Sequence, residues 1–246
     1  MNNPDNQDEE DYYLSEVDSV PNKNRRGFLA AGLGAGAALL GAINIAPFED
    51  IASNKAVSNV AILQTAASID NLAVKIYTQL SSLPFVTGSG ANPVLSSFVT
   101  TTISQHQEHA DSYNAAATSL KGKQQKSIDQ VLYDSSFKGL LSKVSNPLDA
   151  ISIAMSIEEI AAETFLVATE TLTDPYVQKV ASSIIGVEAQ HLAFLKVMQN
   201  IINSNAALLS EPVQLALYPS SVGTAAFSSP VLNTTKARPL TEGALP

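Results

Sequence analysis

Apolar residues recur at helical spacing in four long segments of this chain, which indicates four amphipathic helices. These segments span about 56–80, 93–120, 147–172 and 175–203. A proline begins each of the last three, as is typical of the first helical position. A shorter helix is predicted over about 127–144. We therefore expect an all-α, antiparallel four-helix bundle over residues 56–209, with a crossover between the second and third helices.

The two ends of the chain lack this periodicity. Residues 1–24 are polar and acidic, so they bury too little apolar surface to fold and are predicted to be disordered. Residues 210–246 are rich in Pro, Ser, Thr, Ala and Gly. We predict that they form a flexible C-terminal tail or, over residues 220–246, a loosely packed extension.

A short basic and apolar segment lies between the acidic N-terminus and the bundle. Arg25-Arg26-Gly27-Phe28-Leu29 opens it, and residues 27–46 carry no charge. The segment resembles a twin-arginine export signal, whose pattern is two arginines, one residue, Phe-Leu and a mildly apolar run. This resemblance implies passage through the twin-arginine translocation machinery to the cell envelope or periplasm.

The same segment also has about the length of a membrane-spanning helix. Ala46 is followed by Pro47, which makes a poor cleavage site for signal peptidase. Residues 25–46 are therefore interpreted either as a signal or as a retained N-terminal anchor in the membrane. Both interpretations place Arg25 and Arg26 in the cytoplasm and the bundle outside it.

Composition narrows the classes of function. The net charge of −9 argues against nucleic-acid binding, which needs a basic face. The absence of cysteine excludes disulfide scaffolds and thiolate metal sites. A metal would have to be held by carboxylates and imidazoles, which suit iron, manganese or zinc better than copper(I). Because the chain has only three histidines, their positions matter.

An internal repeat connects these histidines to carboxylates. Asp70 in the first helix and Glu158 in the third occupy equivalent places within similar apolar surroundings. His106 and His109 in the second helix align with Glu188 and His191 in the fourth. A spacing of three places both members of each pair on one helix face. The candidate metal ligands are Asp70, His106, His109, Glu158, Glu188 and His191.

These residues resemble the ligand pattern of the ferritin-like superfamily. Glu188 and His191, within Ile-Gly-Val-Glu-Ala-Gln-His, match its Glu-x-x-His motif, and Glu158 matches the glutamate of the third helix. The resemblance implies two metal ions in the bundle core, iron or manganese with zinc also allowed. It also implies the order of short loop, long crossover and short loop that joins the helices.

The chain departs from that pattern at two places. Asp70 is one methylene shorter than the expected glutamate, and His106 replaces the glutamate that should precede His109. The set then has one carboxylate fewer than usual, so two divalent cations are less fully neutralised. We expect bridging to fall largely on Glu158 and Glu188.

Other residues near these positions are not predicted to bind metal. Tyr77 and Phe165 are predicted to pack in the core, and Tyr113 either reaches the site or lies on the surface. Glu159 is predicted to face solvent. Glu108 and Glu163 are interpreted either as hydrogen-bond partners of the metal ligands or as residues that are exposed or merely near the site.

Three functions remain open at this point. The first is an exported metal-binding protein that stores or oxidises iron or manganese or protects against peroxide. The second is a metal-free structural or stress-protective bundle of the cell envelope, and the third is a carrier of a small apolar ligand. A homodimer is left open. Convergence of the six side chains would favour metal, and splayed side chains would favour a scaffold.

Overall fold

A computed structural model describes residues 57–89, 91, 93–205, 221, 225–226, 232 and 234–246. Within these ranges the regular structure is helical, without strands. The long helices are α1 (Asn59–Ser81), α2 (Pro93–Ser119), α3 (Pro147–Thr171) and α4 (Pro175–Asn205). They confirm the all-α bundle close to its predicted helix bounds.

The predicted signal or anchor, residues 25–46, lies outside the described residues. In the described ranges, no helix combines the length and apolarity that crossing a membrane requires.

Polar side chains define where three of the helices begin. The Ser58 side chain accepts the Ala61 amide at the start of α1, and the Asn146 side chain accepts the Asp149 amide at the start of α3. Asp174 Oδ1 accepts the Val177 amide at 3.2 Å before α4. Each cap satisfies an N–H group that the first turn of a helix leaves without an intrahelical partner.

The helices pair as two hairpins, α1 with α2 and α3 with α4, and the hairpins pack through α1 on α3 and α2 on α4. Asn59 Nδ2 donates to Thr173 Oγ1 at 3.1 Å, so the first turn of α1 lies beside the end of α3. Apolar side chains that are almost fully buried fill the interior, among them Ile62, Leu72, Ile157 and Phe165. The candidate ligands therefore lie between two layers of helices.

The connection between α2 and α3 follows the side of α1. Gln64 Nε2 donates to the Lys123 carbonyl at 2.9 Å, and the Asp129 amide donates to the Ser68 carbonyl at 3.0 Å. Where one short helix was predicted over 127–144, the chain forms three consecutive pieces. They are Gln130–Leu132, the π-helical turn Tyr133–Phe137 and Lys138–Leu141.

The prediction of a flexible tail is wrong for residues 234–246, which lie against α1 and α3. The Arg238 amide donates to Thr164 Oγ1 at 2.9 Å, and the Gly243 amide donates to Thr65 Oγ1 at 3.2 Å. The Arg238 guanidinium holds the Glu242 carboxylate with two bonds of 2.8 Å. Polar side chains of the helices bond to the backbone of this segment, which forms turns, so it packs without any apolar periodicity of its own.

Gly243 offers a test of this packing. A Cβ atom there would lie 1.9 Å from Ser68 Oγ and 2.7 Å from Ser68 Cβ, whereas a Cβ at Gly139 meets nothing within 4 Å. Gly243→Ala should lower the free energy of unfolding by about 1–3 kcal/mol, as overpacking does. Gly139→Ala, in a helical turn, should be neutral or slightly stabilising. Urea unfolding measures both, and equal effects would contradict the tight contact.

Candidate metal centre

All six predicted ligands converge in the middle of the bundle. Asp70 comes from α1, His106 and His109 from α2, Glu158 from α3, and Glu188 and His191 from α4. His109 is the most exposed of them, at 7%. Three carboxyl groups and three imidazoles therefore share a space from which water is largely excluded. Their role as ligands stays a prediction.

The first group of donors is formed by Asp70, His106, His109 and Glu188. His106 Nδ1 lies 2.9 Å from Asp70 Oδ1, and His109 Nδ1 lies 2.8 Å from Glu188 Oε1. One donor atom from each residue lies within 4.8 Å of all the others. This is a compact arrangement of nitrogen and oxygen atoms that can surround one cation.

The second group is formed by His106, Glu158, Glu188 and His191, again with donor atoms within 4.8 Å of one another. His106 Nε2 lies 3.1 Å from Glu158 Oε1, and His191 Nδ1 lies 3.3 Å from Glu158 Oε2. The two groups share His106 and Glu188. Glu188 is thus the carboxylate common to both groups. The sequence predicts that Glu158 and Glu188 share the bridging role, whereas Glu158 belongs to the second group alone.

Electrostatic interactions favour protonated imidazoles when no cation is present. Burial alone would lower the pKa of His191, but the Glu158 and Glu188 carboxylates outweigh it and raise the pKa to about 9. Burial likewise opposes protonation of His109, yet Asp70 and Glu188 raise its pKa to about 9. Three imidazolium groups would balance the charge of three carboxylates.

The pKa values of the two glutamates shift in opposite directions, down for Glu158 and up for Glu188. Burial acts to raise the pKa of Glu158, but His106 and His191 hold it well below its usual value. Burial raises the pKa of Glu188, and this effect is only partly offset by His106. Glu158 is thus the more firmly ionised of the two glutamates.

Several buried oxygen atoms have no hydrogen-bond partner among the described residues. Asp70 Oδ2 and Glu188 Oε2 belong to the donor groups, and the hydroxyl of Tyr113 is also unpaired. Leaving a buried carboxylate oxygen unsatisfied typically costs about 1–3 kcal/mol. A cation between the donor groups would satisfy both carboxylate oxygens, so the chemistry of this set fits a metal ion.

Two residues at the centre escaped the sequence analysis as functional groups. The Tyr77 hydroxyl donates to Glu158 Oε1 at 2.5 Å, and its ring stacks on His106 with centroids 5.7 Å apart. His191 Nε2 donates to Gln105 Oε1 at 2.7 Å. This bond directs Nδ1 of His191 towards the carboxylates, as outer partners of metal-binding histidines commonly do. Only the position of Tyr77, seven residues after Asp70 on the same helix face, hinted at its role.

The other acidic and aromatic residues considered in the sequence analysis lie outside the two donor groups. Tyr113 is fully buried, so its interpretation as a surface residue is wrong. Glu108 is exposed. Glu163 is 3% exposed and accepts the Lys236 amide, while Glu159 pairs with the Lys236 ammonium group. Neither of these glutamates belongs to a donor group, and both hold the C-terminal segment.

The two tyrosines permit a matched comparison. Both are fully buried, but only the Tyr77 hydroxyl has a partner. Tyr77→Phe should destabilise the protein by about 1–3 kcal/mol, because it removes a hydrogen bond to an ionised, buried carboxylate. Tyr113→Phe should be close to neutral, since its hydroxyl makes no bond. Thermal unfolding of both variants checks this, and a larger loss in Tyr113→Phe would refute the assignment.

Comparison with known proteins agrees with this architecture. The sequence model of one family, described as a ferritin-like domain, matches residues 58–200. The match covers more than half of the chain and includes all six candidate ligands. No curated protein and no solved structure matches the chain at a significant level. With its helical bundle and this match, the chain belongs to the family of ferritin-like domain proteins.

Proposed function

We propose that this protein binds two ions of iron or manganese in the bundle core, held by the two overlapping donor groups that have Glu188 and His106 in common. The observation that carries the proposal is the pair of buried donor groups, in which Asp70 Oδ2 and Glu188 Oε2 have no hydrogen-bond partner. Oxygen and imidazole donors suit these metals, and they suit zinc as well. Storage, oxidation of the metal ion and protection against peroxide are all compatible with such a centre.

The candidate ligands and two neighbouring residues would each contribute to metal binding in a different way. Asp70 and His109 would complete one position, and Glu158 and His191 the other. Gln105 holds the His191 ring, and Tyr77 holds the Glu158 carboxylate. A bound iron or manganese ion would supply redox chemistry towards dioxygen or peroxide. The surrounding core limits access of water to these side chains.

The imidazole of His106 sets a limit on that chemistry. It faces Asp70 through Nδ1 and Glu158 through Nε2, where the superfamily pattern has a carboxylate. Three carboxylates neutralise two divalent ions less fully than four would. We therefore favour binding and sequestration of divalent ions over an oxidase cycle that accumulates positive charge.

A metal-free scaffold is the second candidate, because three protonated imidazoles are able to balance three carboxylates. Calorimetric titration of the metal-free protein with manganese(II) separates the two. We expect saturable binding that releases protons, and a loss of at least tenfold in affinity in Glu188→Gln. Glu108→Gln, at an exposed position near His106, should bind as the unaltered protein does. Absence of saturable binding of manganese(II), iron(II) or zinc(II) would refute the proposed metal binding.

We further propose that the protein acts outside the cytoplasm, exported by the twin-arginine route. Arg25 and Arg26, followed by Phe28 and Leu29, support this proposal. Replacing both arginines with lysine should leave the protein in the cytoplasm, because that machinery reads the arginine pair and not only its charge. Fractionation of the host cells measures the distribution. Unchanged localisation of the variant would refute this route, and the mass of the exported form would show whether the segment is retained.

A further inference from the structure

A cavity of about 490 Å³ lies between α2 and α4 and opens to solvent. His191 forms part of its wall, together with Gln105, which holds the outer nitrogen of that ring. The cavity therefore adjoins the proposed metal centre directly. Its size falls within the usual range for small-molecule sites. Dioxygen, peroxide or a metal ion would need far less space.

The walls of the cavity are largely aromatic, and His191 is the one ionisable side chain among the described residues that line it. The Phe98 and Phe194 rings stack with their centroids 4.4 Å apart. The Phe98 and His191 rings are T-shaped to each other, with their centroids 6.0 Å apart. Among the described residues that line it there is no Asp, Glu, Lys or Arg, although the chain carries a net charge of −9. Apart from the His191 imidazole, such walls offer no charge to a metal cation or an anion, and they favour a neutral, apolar molecule.

A few polar groups also line the cavity. Thr101 and Thr102 line the cavity on α2, and Thr102 is 1% exposed. The amide of Gln105 lies beside them, and its oxygen is already engaged by His191. Its amino group is the donor that a ligand hydroxyl would meet. A flat ring with one neutral hydrogen-bonding group matches this combination of walls and polar atoms.

We propose that this cavity binds a small, uncharged aromatic molecule of the phenol or indole class, beside the proposed metal centre. The inference rests on the proposed function for its second half, because only metal binding makes the bound molecule a neighbour of a metal ion. The binding half stands on the cavity alone. The ring would lie against Phe98 and Phe194, and its polar group would point to Gln105 and His191.

Indole is a suitable probe because the chain contains no tryptophan, so the emission of indole is free of protein background in that region. We expect saturable binding of indole to the metal-free protein. Thr101→Phe, which fills the cavity from an exposed position, should weaken binding at least tenfold. Thr100→Phe, on the next exposed threonine but outside the lining, should bind indole normally. Ser97→Phe provides a second filling variant at an exposed lining position.

Proximity to the metal is tested separately with manganese(II), whose paramagnetism broadens the NMR signals of nearby protons. Indole signals should broaden in manganese-loaded protein, remain sharp in zinc-loaded protein, and remain sharp in manganese-loaded Thr101→Phe. Failure to bind indole, or equal binding by Thr101→Phe and Thr100→Phe, would overturn this inference while manganese binding stands. Indole binding without any manganese binding would instead remove the proposed function and reduce the cavity to a carrier site.

Discussion

Manganese(II) or iron(II) should raise the melting temperature of the metal-free protein by roughly 5–10 °C when its concentration is a hundred times the dissociation constant. A ligand that binds only the folded state adds about 2.7 kcal/mol at that ratio. For a domain of this size, one kcal/mol corresponds to about 2–4 °C. The expected rise follows from the proposal that the ion relieves Asp70 Oδ2 and Glu188 Oε2, which are buried without a hydrogen-bond partner among the described residues.

Glu188 should matter most for this rise, because it belongs to both donor groups. Glu188→Gln retains the shape of the side chain but removes its charge, so most of the metal-dependent rise should disappear. Glu108→Gln should show the full rise, because Glu108 is exposed and lies outside the centre. Differential scanning fluorimetry with and without metal measures all three proteins. A rise in Glu188→Gln equal to that of the unaltered protein would refute the assigned centre.

The metal-free protein should lose stability as the pH rises from 7 to 9. The pKa values of His109 and His191 are raised to about 9 in the folded state, against about 6.5 in the unfolded chain. A raised histidine pKa contributes stability that is complete below pH 6.5 and is lost as the pH passes through 9. At about 1.4 kcal/mol per pH unit, each imidazole accounts for on the order of 2–3 kcal/mol in this interval.

Urea unfolding at pH 7, 8 and 9 measures this loss, with His191→Asn as the comparison. Burial raises the pKa of Asp129 and of Glu163 to about 7, so these two groups contribute mainly below the chosen interval. The slope between pH 7 and 9 should therefore be shallower in His191→Asn. Metal affinity should rise over the same interval, because the ion displaces protons from the imidazoles. Stability that is constant or increases up to pH 9 would contradict the charge assignment.

The helices and the six converging side chains were predictable because their signals are periodic. Apolar spacing predicted approximate bounds for α1 to α4, and the repeat assigned Asp70 and Glu158 to equivalent positions on α1 and α3. A spacing of three then required His106 with His109, and Glu188 with His191, to share helix faces. Such regularities are properties of helical geometry, so they survive without knowledge of any tertiary contact.

What escaped prediction depends on contacts between segments distant in the chain. Nothing in the sequence distinguishes Gln105 from other polar residues. Its role depends on the hydrogen bond that it accepts from His191, which lies on another helix. The C-terminal segment has no periodicity, and its packing depends on partners such as Thr65 and Thr164. Those threonines looked like incidental polar positions within apolar helices. Polar residues on the apolar face of a helix need hydrogen-bond partners when they are buried. Such residues are the signal that could have indicated a segment packed against them.

Anomalous X-ray diffraction at the metal absorption edges, from crystals of the protein purified from its own host, tests the central claim most directly. The account predicts anomalous density for iron or manganese among Asp70, His106, His109, Glu158, Glu188 and His191, with Glu188 in contact with both positions. Crystals that show no anomalous density among these six side chains, even after loading with manganese(II) or iron(II), would contradict it.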